Sequence, residues 1–251
     1  MKKLIINADD FGLADGCNRG IIDAMKNGIV TSTTVMINMP KAVEAIDLAK
    51  KVGIKEMGVH LTLTCGKPLL SKEEVPSLVD ENGRFYRRVA KLLPLVNLEE
   101  VEKELRAQID EFLKTGLKLT HLDSHHHVHM YDGIKEIVSK LAKEYCVSVR
   151  HPDEKTKEYL SKLGIRTTDF FSMNFYGKDA TLENLKRIIK QFPEGTIEIM
   201  THPAYVDEKL KNISSYNVNR AKELEILTSV EIKEWIEKEG IKLINFTGLE
   251  V

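Results

Sequence analysis

Five of the eight histidines lie between residues 121 and 129, in the segment THLDSHHHVHM. Histidine is the commonest metal ligand near neutral pH, and Asp123 adds a carboxylate to the run. A cluster this dense indicates a site rather than core packing. His125 and His129 are four residues apart, a spacing that suits zinc on one helix face. Asp123 could bind the ion or hold a histidine tautomer.

The three other histidines each lie at or just past the end of a strand-like run. His60 stands between apolar neighbours, and alone it would more often be a core residue than a ligand; the other polar residues at the strand ends favour the ligand. His202, in MTHPAY, precedes a proline, which favours extended backbone, and it could donate a proton to a leaving group. Arg150 and His151, in VRHPDE, could contact an anionic or hydroxyl-rich substrate.

Asp9 and Asp10 follow the first apolar run. Two adjacent carboxylates repel each other, so a cation normally accompanies them. Successive strand residues point to opposite sides, but at a strand end the chain turns and both can face the same way. We therefore interpret the pair as one metal ligand and one general base. The alternative is a solvated turn or a helix N-cap.

The elements that must position these residues alternate between strand and helix along the whole chain. The predicted strands are 3–8, 31–39, 57–63, 118–123, 146–150, 167–172, 196–201 and 241–246. The predicted helices are 18–27, 40–52, 98–115, 133–144, 153–163, 182–191, 217–227 and 229–239.

This alternation predicts an α/β fold with a parallel sheet and right-handed crossovers. At 251 residues the expected form is a single-domain (β/α) barrel, TIM-barrel-like, closed or with an irregular strand. An open sheet is the alternative. In such folds ligands bind at the carboxyl ends of the strands, where the polar residues above are expected to converge.

Residues 65–97 are too long for an ordinary strand-to-helix loop, and loops of this length in compact domains are usually functional. Asn82-Gly83 indicates a hairpin. The segment is expected to be a substrate lid, with a dimer contact or a neutral insertion as alternatives.

Composition removes several classes of function. The formal net charge is -1, so nucleic-acid binding has little support. No apolar run reaches the ~18 residues of a membrane helix, and Asp9-Asp10 interrupt the N-terminal run too early for a signal peptide. The three cysteines have no CxxC spacing, which indicates reduced thiols and a cytoplasmic protein. Neither a G-x-S-x-G elbow nor a Gly-rich phosphate loop occurs.

The segments NADDFG, IVTSTT, GVHLTLT, THLDSHHHVHM and THPAY, in this order, resemble the YdjC-like carbohydrate deacetylase family. The resemblance covers nearly the whole chain. It implies a barrel-like fold, a homodimer and a divalent metal, usually magnesium. It also implies hydrolysis of the acetamide of N-acetylglucosamine units in chitooligosaccharides such as chitobiose. Carried over by motif, the metal ligands are Asp10, His60 and His125, and Asp9 is the base.

The expected chemistry is amide hydrolysis that releases acetate. A divalent ion polarises a carbonyl and acidifies water, Asp9 would accept the water's proton, and His202 would protonate the departing amine. Two imidazoles and one carboxylate favour zinc or another transition metal over magnesium, so the identity of the metal stays open. Another metal-dependent barrel amidohydrolase or phosphoesterase is the first alternative, although such enzymes usually place an HxH pair after the first strand. A non-enzymatic metal-binding protein is the second.

Overall fold

The computed structural model describes residues 1–249 and contains eight strands in one parallel sheet. The strands are β1 Lys2–Phe11, β2 Ser32–Val35, β3 Glu56–Leu61, β4 Lys118–Ser124, β5 Ser148–Val149, β6 Phe170–Ser172, β7 Gly195–Thr201 and β8 Lys242–Leu243. The helices are α1 Asp15–Asn27, α2 Ala42–Lys51, α3 Val89–Leu92, α4 Leu98–Leu113, α5 Ile134–Glu144, α6 Glu154–Lys162, α7 Leu182–Gln191, α8 Glu208–Ile213, α9 Val218–Thr228 and α10 Val230–Lys238.

The sheet has the order β5-β4-β3-β2-β1-β7-β6, with β8 paired to β1. β1 is central: it pairs with β7 along Lys2 to Ala8, with β2 near its end, and with β8 at Lys3 and Leu4. Within residues 1–249, β5 and β6 are the two edges, so the curled sheet is a half-barrel. The predicted single-domain α/β fold is confirmed in its irregular form.

All eight predicted strands occur, but several are shorter than the pattern indicated. Residues 31–39 form a strand only over Ser32–Val35, because the chain turns at Met36, whose carbonyl accepts from Met39 N. β5 and β8 contain two residues each. Strands this short cannot supply the continuous ladder that closes a barrel.

The core lies on both faces of the sheet, as expected where helices cover a parallel sheet. Leu4 and Ile6 of β1 and Ile197 and Ile199 of β7 are fully buried. The amphipathic helices supply the outer layer; on α4, Val101, Leu105, Ile109 and Phe112 are buried at helical spacing, which is the expected apolar stripe. No helix in the described part of the chain is long and apolar enough to cross a membrane.

Residues 65–97 are anchored to α4 by side-chain hydrogen bonds. Glu104 is fully buried and its carboxylate accepts from the backbone N–H groups of Leu69 and Leu70 at 3.0 and 3.1 Å. Glu100 accepts from Ser77 N at 2.8 Å. Because these bonds satisfy backbone donors that would otherwise lack partners, one half of the segment is fixed against the helix.

The same segment packs its own apolar side chains into the core: Val75, Leu78, Val79, Phe85 and Leu92 are all buried. The predicted hairpin at Asn82-Gly83 is confirmed by an antiparallel bridge between Val79 and Phe85. The turn places Gly83 at φ 66°, a conformation that favours glycine. Residues 65–97 therefore form a packed wall rather than a loose connection.

His121, the first histidine of the cluster, is a structural residue. Its ring stacks on Phe246 with centroids 3.5 Å apart, and a Cβ at Gly58 would lie 2.5 Å from His121 Cε1. The ring thus fills the space that glycine leaves on β3. Burial lowers the pKa of His121 well below its usual value, and the charge of Arg150 lowers it further.

We predict that His121→Gln changes how stability depends on pH. The unfolded chain takes up a proton at His121 below pH ~6.5, and the native state rejects it, so the wild type loses stability as the pH falls. The variant lacks this loss. Urea unfolding measures the free energy of unfolding of both proteins. The amount by which the variant is less stable than the wild type should be smaller at pH 5.5 than at pH 7.5 by about 1.4 kcal/mol. An equal deficit at both pH values would show that the native state accepts the proton.

Candidate active site

One cavity of ≈ 410 Å³ lies at the carboxyl ends of the strands. Among the residues predicted from the sequence, those that line it are Asp9, Asp10, His60, His125 and His202. They come from the ends of β1, β3, β4 and β7. The structure therefore brings the predicted ligands, base and acid to one place, where parallel α/β folds bind their ligands.

The backbone at Asp10 explains how two successive carboxylates reach the same cavity. Asp10 has φ 69°, and the register between β1 and β2 shifts between Ala8 and Phe11. This left-handed conformation is uncommon for a residue with a side chain, although aspartate tolerates it better than most. Because it breaks the alternation of the strand, both Asp9 and Asp10 face the cavity.

Asp10, His60 and His125 form a set of three donors able to hold a metal ion. Asp10 Oδ1 lies 3.5 Å from His60 Nε2 and 3.2 Å from His125 Nδ1. Asp10 Oδ1 is also a buried oxygen with no hydrogen-bond partner. A buried carboxylate oxygen between two imidazole nitrogens is satisfied by a cation, so the residues present fit a divalent metal.

The orientation of His60 is fixed by its other ring nitrogen. His60 and Asp123 are directly paired across β3 and β4, and His60 Nδ1 lies 2.8 Å from Asp123 Oδ1. Thr34 donates to Asp123 Oδ2 at 3.0 Å. Burial lowers the pKa of His60, but the charge and hydrogen bond of Asp123, together with the charges of Asp9 and Asp10, outweigh burial and raise the pKa to about 9. Asp123 thus directs Nε2 toward Asp10, the usual carboxylate–histidine arrangement behind a metal.

The second oxygen of Asp10 is bound by a residue that no sequence pattern indicated. Arg220, on α9, donates from Nη2 to Asp10 Oδ2 at 2.6 Å. Burial would raise the pKa of Asp10, but Arg220 and His125 lower it well below the usual value. Asp10 is therefore ionised, with Oδ1 turned toward the histidines.

Asp9, His60 and Asp123 form a second possible donor set, but Arg150 occupies it. The guanidinium donates to both oxygens of Asp9 at 2.7 and 2.8 Å, and its Nη1 lies 2.9 Å from Asp123 Oδ2. Its Nε donates to Glu198 at 2.6 Å. A fixed positive charge at this position repels a metal, which leaves the set containing Asp10 as the candidate metal site.

Arg150 also controls the ionisation of Asp9. Burial would raise the pKa of Asp9, but the Arg150 guanidinium lowers it far below the usual range. Asn7 adds a hydrogen bond to Asp9 Oδ1 at 2.8 Å. Burial raises the pKa of Glu198 to about 7, against the influence of Arg150. The Arg150 guanidinium thus pairs with three buried carboxylates, and Asp9 is ionised.

Arg150 and His151, predicted to contact substrate, lie behind the cavity rather than in its lining. The side chain of Arg150 is 0% exposed. His151 is buried, with its ring edge-on to Phe171 at 6.2 Å. Neither presents an accessible surface, because the carboxylates of the site bind Arg150 and aromatic packing encloses His151.

The remaining histidines of the cluster have separate environments, because the backbone is left-handed at both His126 and His127. His129 does not share a helix face with His125: one of its ring nitrogens is bonded to Ser124, and the other lies 3.0 Å from the Arg150 carbonyl oxygen. His126 contacts Thr64 at 3.0 Å and lines the cavity together with His127. The helical spacing considered for His125 and His129 therefore does not describe a metal site.

His202 is placed by close packing of the segment after β7 against α1. A Cβ at Gly16 would lie 1.9 Å from the Tyr205 carbonyl oxygen, so only glycine permits this approach. Glu223 on α9 accepts from His202 N, and Tyr216 donates to the same carboxylate. Burial, followed by the charge of Arg220, lowers the pKa of His202 to about 4.

Several residues that support the site had little or no signal in the sequence. Glu198 had one, since it is a charged residue between Ile197 and Ile199 of an apolar strand. The others lie on helices or in loops with ordinary polar composition. They are Arg87, Tyr176, Tyr216, Arg220 and Glu223.

Comparison with known proteins agrees with this geometry. The family model described as "YdjC-like protein" matches residues 3–238. A carbohydrate deacetylase of Brevibacillus brevis is 48% identical over 98% of this chain and 99% of its own length. One from Thermoanaerobacter pseudethanolicus is 41% identical over the full length of both chains. A crystal structure from Enterococcus faecalis, provisionally described as a cellobiose-phosphate cleavage protein, has a TM-score of 0.94 and 42% identity, covering 100% of this chain and 99% of that one.

We predict that His60→Ala and His125→Ala each weaken binding of a divalent metal by at least about tenfold, because each removes one of three donors. Titration of chelator-stripped protein, with competition against a metal indicator, measures the affinity. His129→Asn is the matched control from the same cluster and should retain wild-type affinity. Equal loss in the control would mean that the cluster, not the triad, holds the ion.

We predict that Arg150→Met lowers the free energy of unfolding by about 3–5 kcal/mol, because it leaves three buried carboxylates without their cation. Arg106→Ala is the matched control: Arg106 pairs with Glu144 on the surface at 2.5 Å, so its loss should cost at most about 1 kcal/mol. Denaturant unfolding at pH 7 measures both. Similar small losses would show that Arg150 does not balance the buried charge.

Proposed function

The chain belongs to the YdjC-like protein family, and from that premise we propose that it hydrolyses the N-acetyl group of N-acetylglucosamine units in chitooligosaccharides such as chitobiose. The relatives at 48% and 41% identity are carbohydrate deacetylases that match essentially the whole chain. The observation that carries the proposal is the donor triad of Asp10, His60 and His125 with the ionised Asp9 beside it in one cavity.

Asp10 Oδ1, His60 Nε2 and His125 Nδ1 would hold the divalent ion. When bound, the ion polarises the acetamide carbonyl and lowers the pKa of water. Three protein donors leave positions open, as a catalytic site requires. Magnesium is the metal implied by the family resemblance, whereas two imidazoles favour zinc or another transition metal. Metal analysis of protein purified without added metal distinguishes these proposals.

Asp9 is the proposed general base. Arg150 and Asn7 hold its carboxylate in one orientation, and the lowered pKa keeps it ionised across the neutral range. It can therefore accept a proton from the attacking water without first losing one. We propose that Arg150 acts on the substrate only through Asp9. His151 would act only through its packing against Phe171.

His202 is the proposed acid for the departing amine. With a pKa of about 4 it is neutral in the resting protein, so it must receive the proton that Asp9 takes from the water before it can pass that proton to the amine nitrogen. Its backbone N–H is held by Glu223, which fixes the position of the residue. Water supplies the hydroxyl of the acetate and the proton of the amino sugar, so the step is balanced.

The assembly and location are further proposals. The family resemblance supports a homodimer. The free cysteines Cys17, Cys65 and Cys146 are compatible with a reducing compartment, which supports a cytoplasmic location.

We predict that Asp9→Asn lowers acetate release from chitobiose at least about 100-fold, because the amide cannot accept the water's proton. Metal content should remain at the wild-type level, since Asp9 is outside the donor triad. Asp15→Asn is the matched control; Asp15 begins α1 and pairs with Lys41 at 3.1 Å. Enzymatic acetate detection gives the rate. A variant with unchanged turnover would remove Asp9 from the mechanism.

A further inference from the structure

A second cavity of ≈ 360 Å³ adjoins the first. Met173 and Tyr176 line both cavities, so the two are neighbours. The side chains that line only the second are Asn174, Asp179, Asn184 and Arg187. They lie on the segment after β6 and on α7.

We propose that this second cavity binds the neighbouring sugar ring of the oligosaccharide whose acetylated ring lies in the first. The inference rests on the proposed deacetylase function and adds which residues bind the ring next to the acetylated one. Its occupant would be a neutral pyranose.

Tyr176 divides the two cavities and is held rigidly. Its ring stacks on Tyr216 with centroids 3.9 Å apart and meets His202 edge-on at 5.6 Å. It is nevertheless 43% exposed. An exposed aromatic ring with a fixed orientation offers a flat apolar surface at low entropic cost, and the C–H face of a sugar ring is suited to pack on it.

The polar end of the second cavity is preorganised for hydroxyl groups. Asn184 donates from Nδ2 to the carbonyl oxygens of Asn174 and Asp179 at 3.0 and 2.7 Å. Its Oδ1 in turn accepts from Arg187 Nε and Nη2 at 3.2 and 2.6 Å. The guanidinium is thus oriented by a side chain that is itself fixed to the backbone.

Charge in this cavity favours a neutral occupant. Within residues 1–249, Arg187 forms no ion pair with a carboxylate within 4.0 Å, so its remaining N–H groups are available as donors. Asp179 lies in the same lining and would repel an anion. Sugar hydroxyls can accept from Arg187 and donate to Asp179, and so use both groups.

The test compares acetate release from N-acetylglucosamine and from N,N′-diacetylchitobiose by the metal-loaded enzyme. Wild type should have the higher kcat/KM on the disaccharide. Arg187→Ala should reduce the disaccharide-to-monosaccharide ratio of kcat/KM about tenfold, as expected for loss of a charged hydrogen-bond donor. Lys190→Ala, on the same helix but paired with Glu239, is the matched control and should preserve the ratio.

A ratio unaffected by Arg187→Ala would overturn the inference while leaving the deacetylase proposal intact. Failure to release acetate from any acetylated sugar would instead reject the proposed function. If wild type shows no turnover of the monosaccharide, calorimetric affinities of both sugars for the Asp9→Asn variant provide the ratio. The inference would also be overturned if Arg187→Ala weakened the binding of a chitobiose phosphate but not that of chitobiose, since the cavity would then recognise an anion.

Discussion

The buried guanidinium of Arg150 determines which of the clustered carboxylates are paired with an internal cation and which one faces the histidines. It binds both oxygens of Asp9, one oxygen of Asp123 and one of Glu198. Without this charge, burying three carboxylates side by side would be strongly unfavourable. With it, a metal is kept out of the space between Asp9 and Asp123, and Asp10 becomes the carboxylate that faces the histidines.

A second guanidinium completes this division of roles. Arg220 binds the oxygen of Asp10 that points away from His60 and His125, while Asp123 binds the nitrogen of His60 that points away from Asp10. Two of the three candidate ligands, Asp10 and His60, are therefore each oriented by a partner on the far side. The partners come from different elements: Arg220 lies on α9, which packs against α1, and Asp123 lies on β4 of the sheet.

The sequence was sufficient to predict the elements and the convergence of Asp10, His60 and His125, because parallel strands bring their carboxyl ends to one edge. It was insufficient for the pairing of the strands, since apolar periodicity indicates that a strand exists and not which neighbours it has. Arg150 illustrates a second limit. It was predicted to contact the substrate, whereas it is buried against carboxylates from β1, β4 and β7, which no local pattern reveals. Arg220 lies in a helix of unremarkable polarity, so nothing in its surroundings distinguished it.

The wall formed by residues 65–97 is held to α4 largely through backbone N–H groups, those of Leu69, Leu70 and Ser77. Every residue except proline carries that donor. The anchor therefore places little demand on which side chains occupy those positions. Divergence can consequently reshape this side of the cleft, including the rim around Arg87, while the scaffold that holds the ligands is left undisturbed.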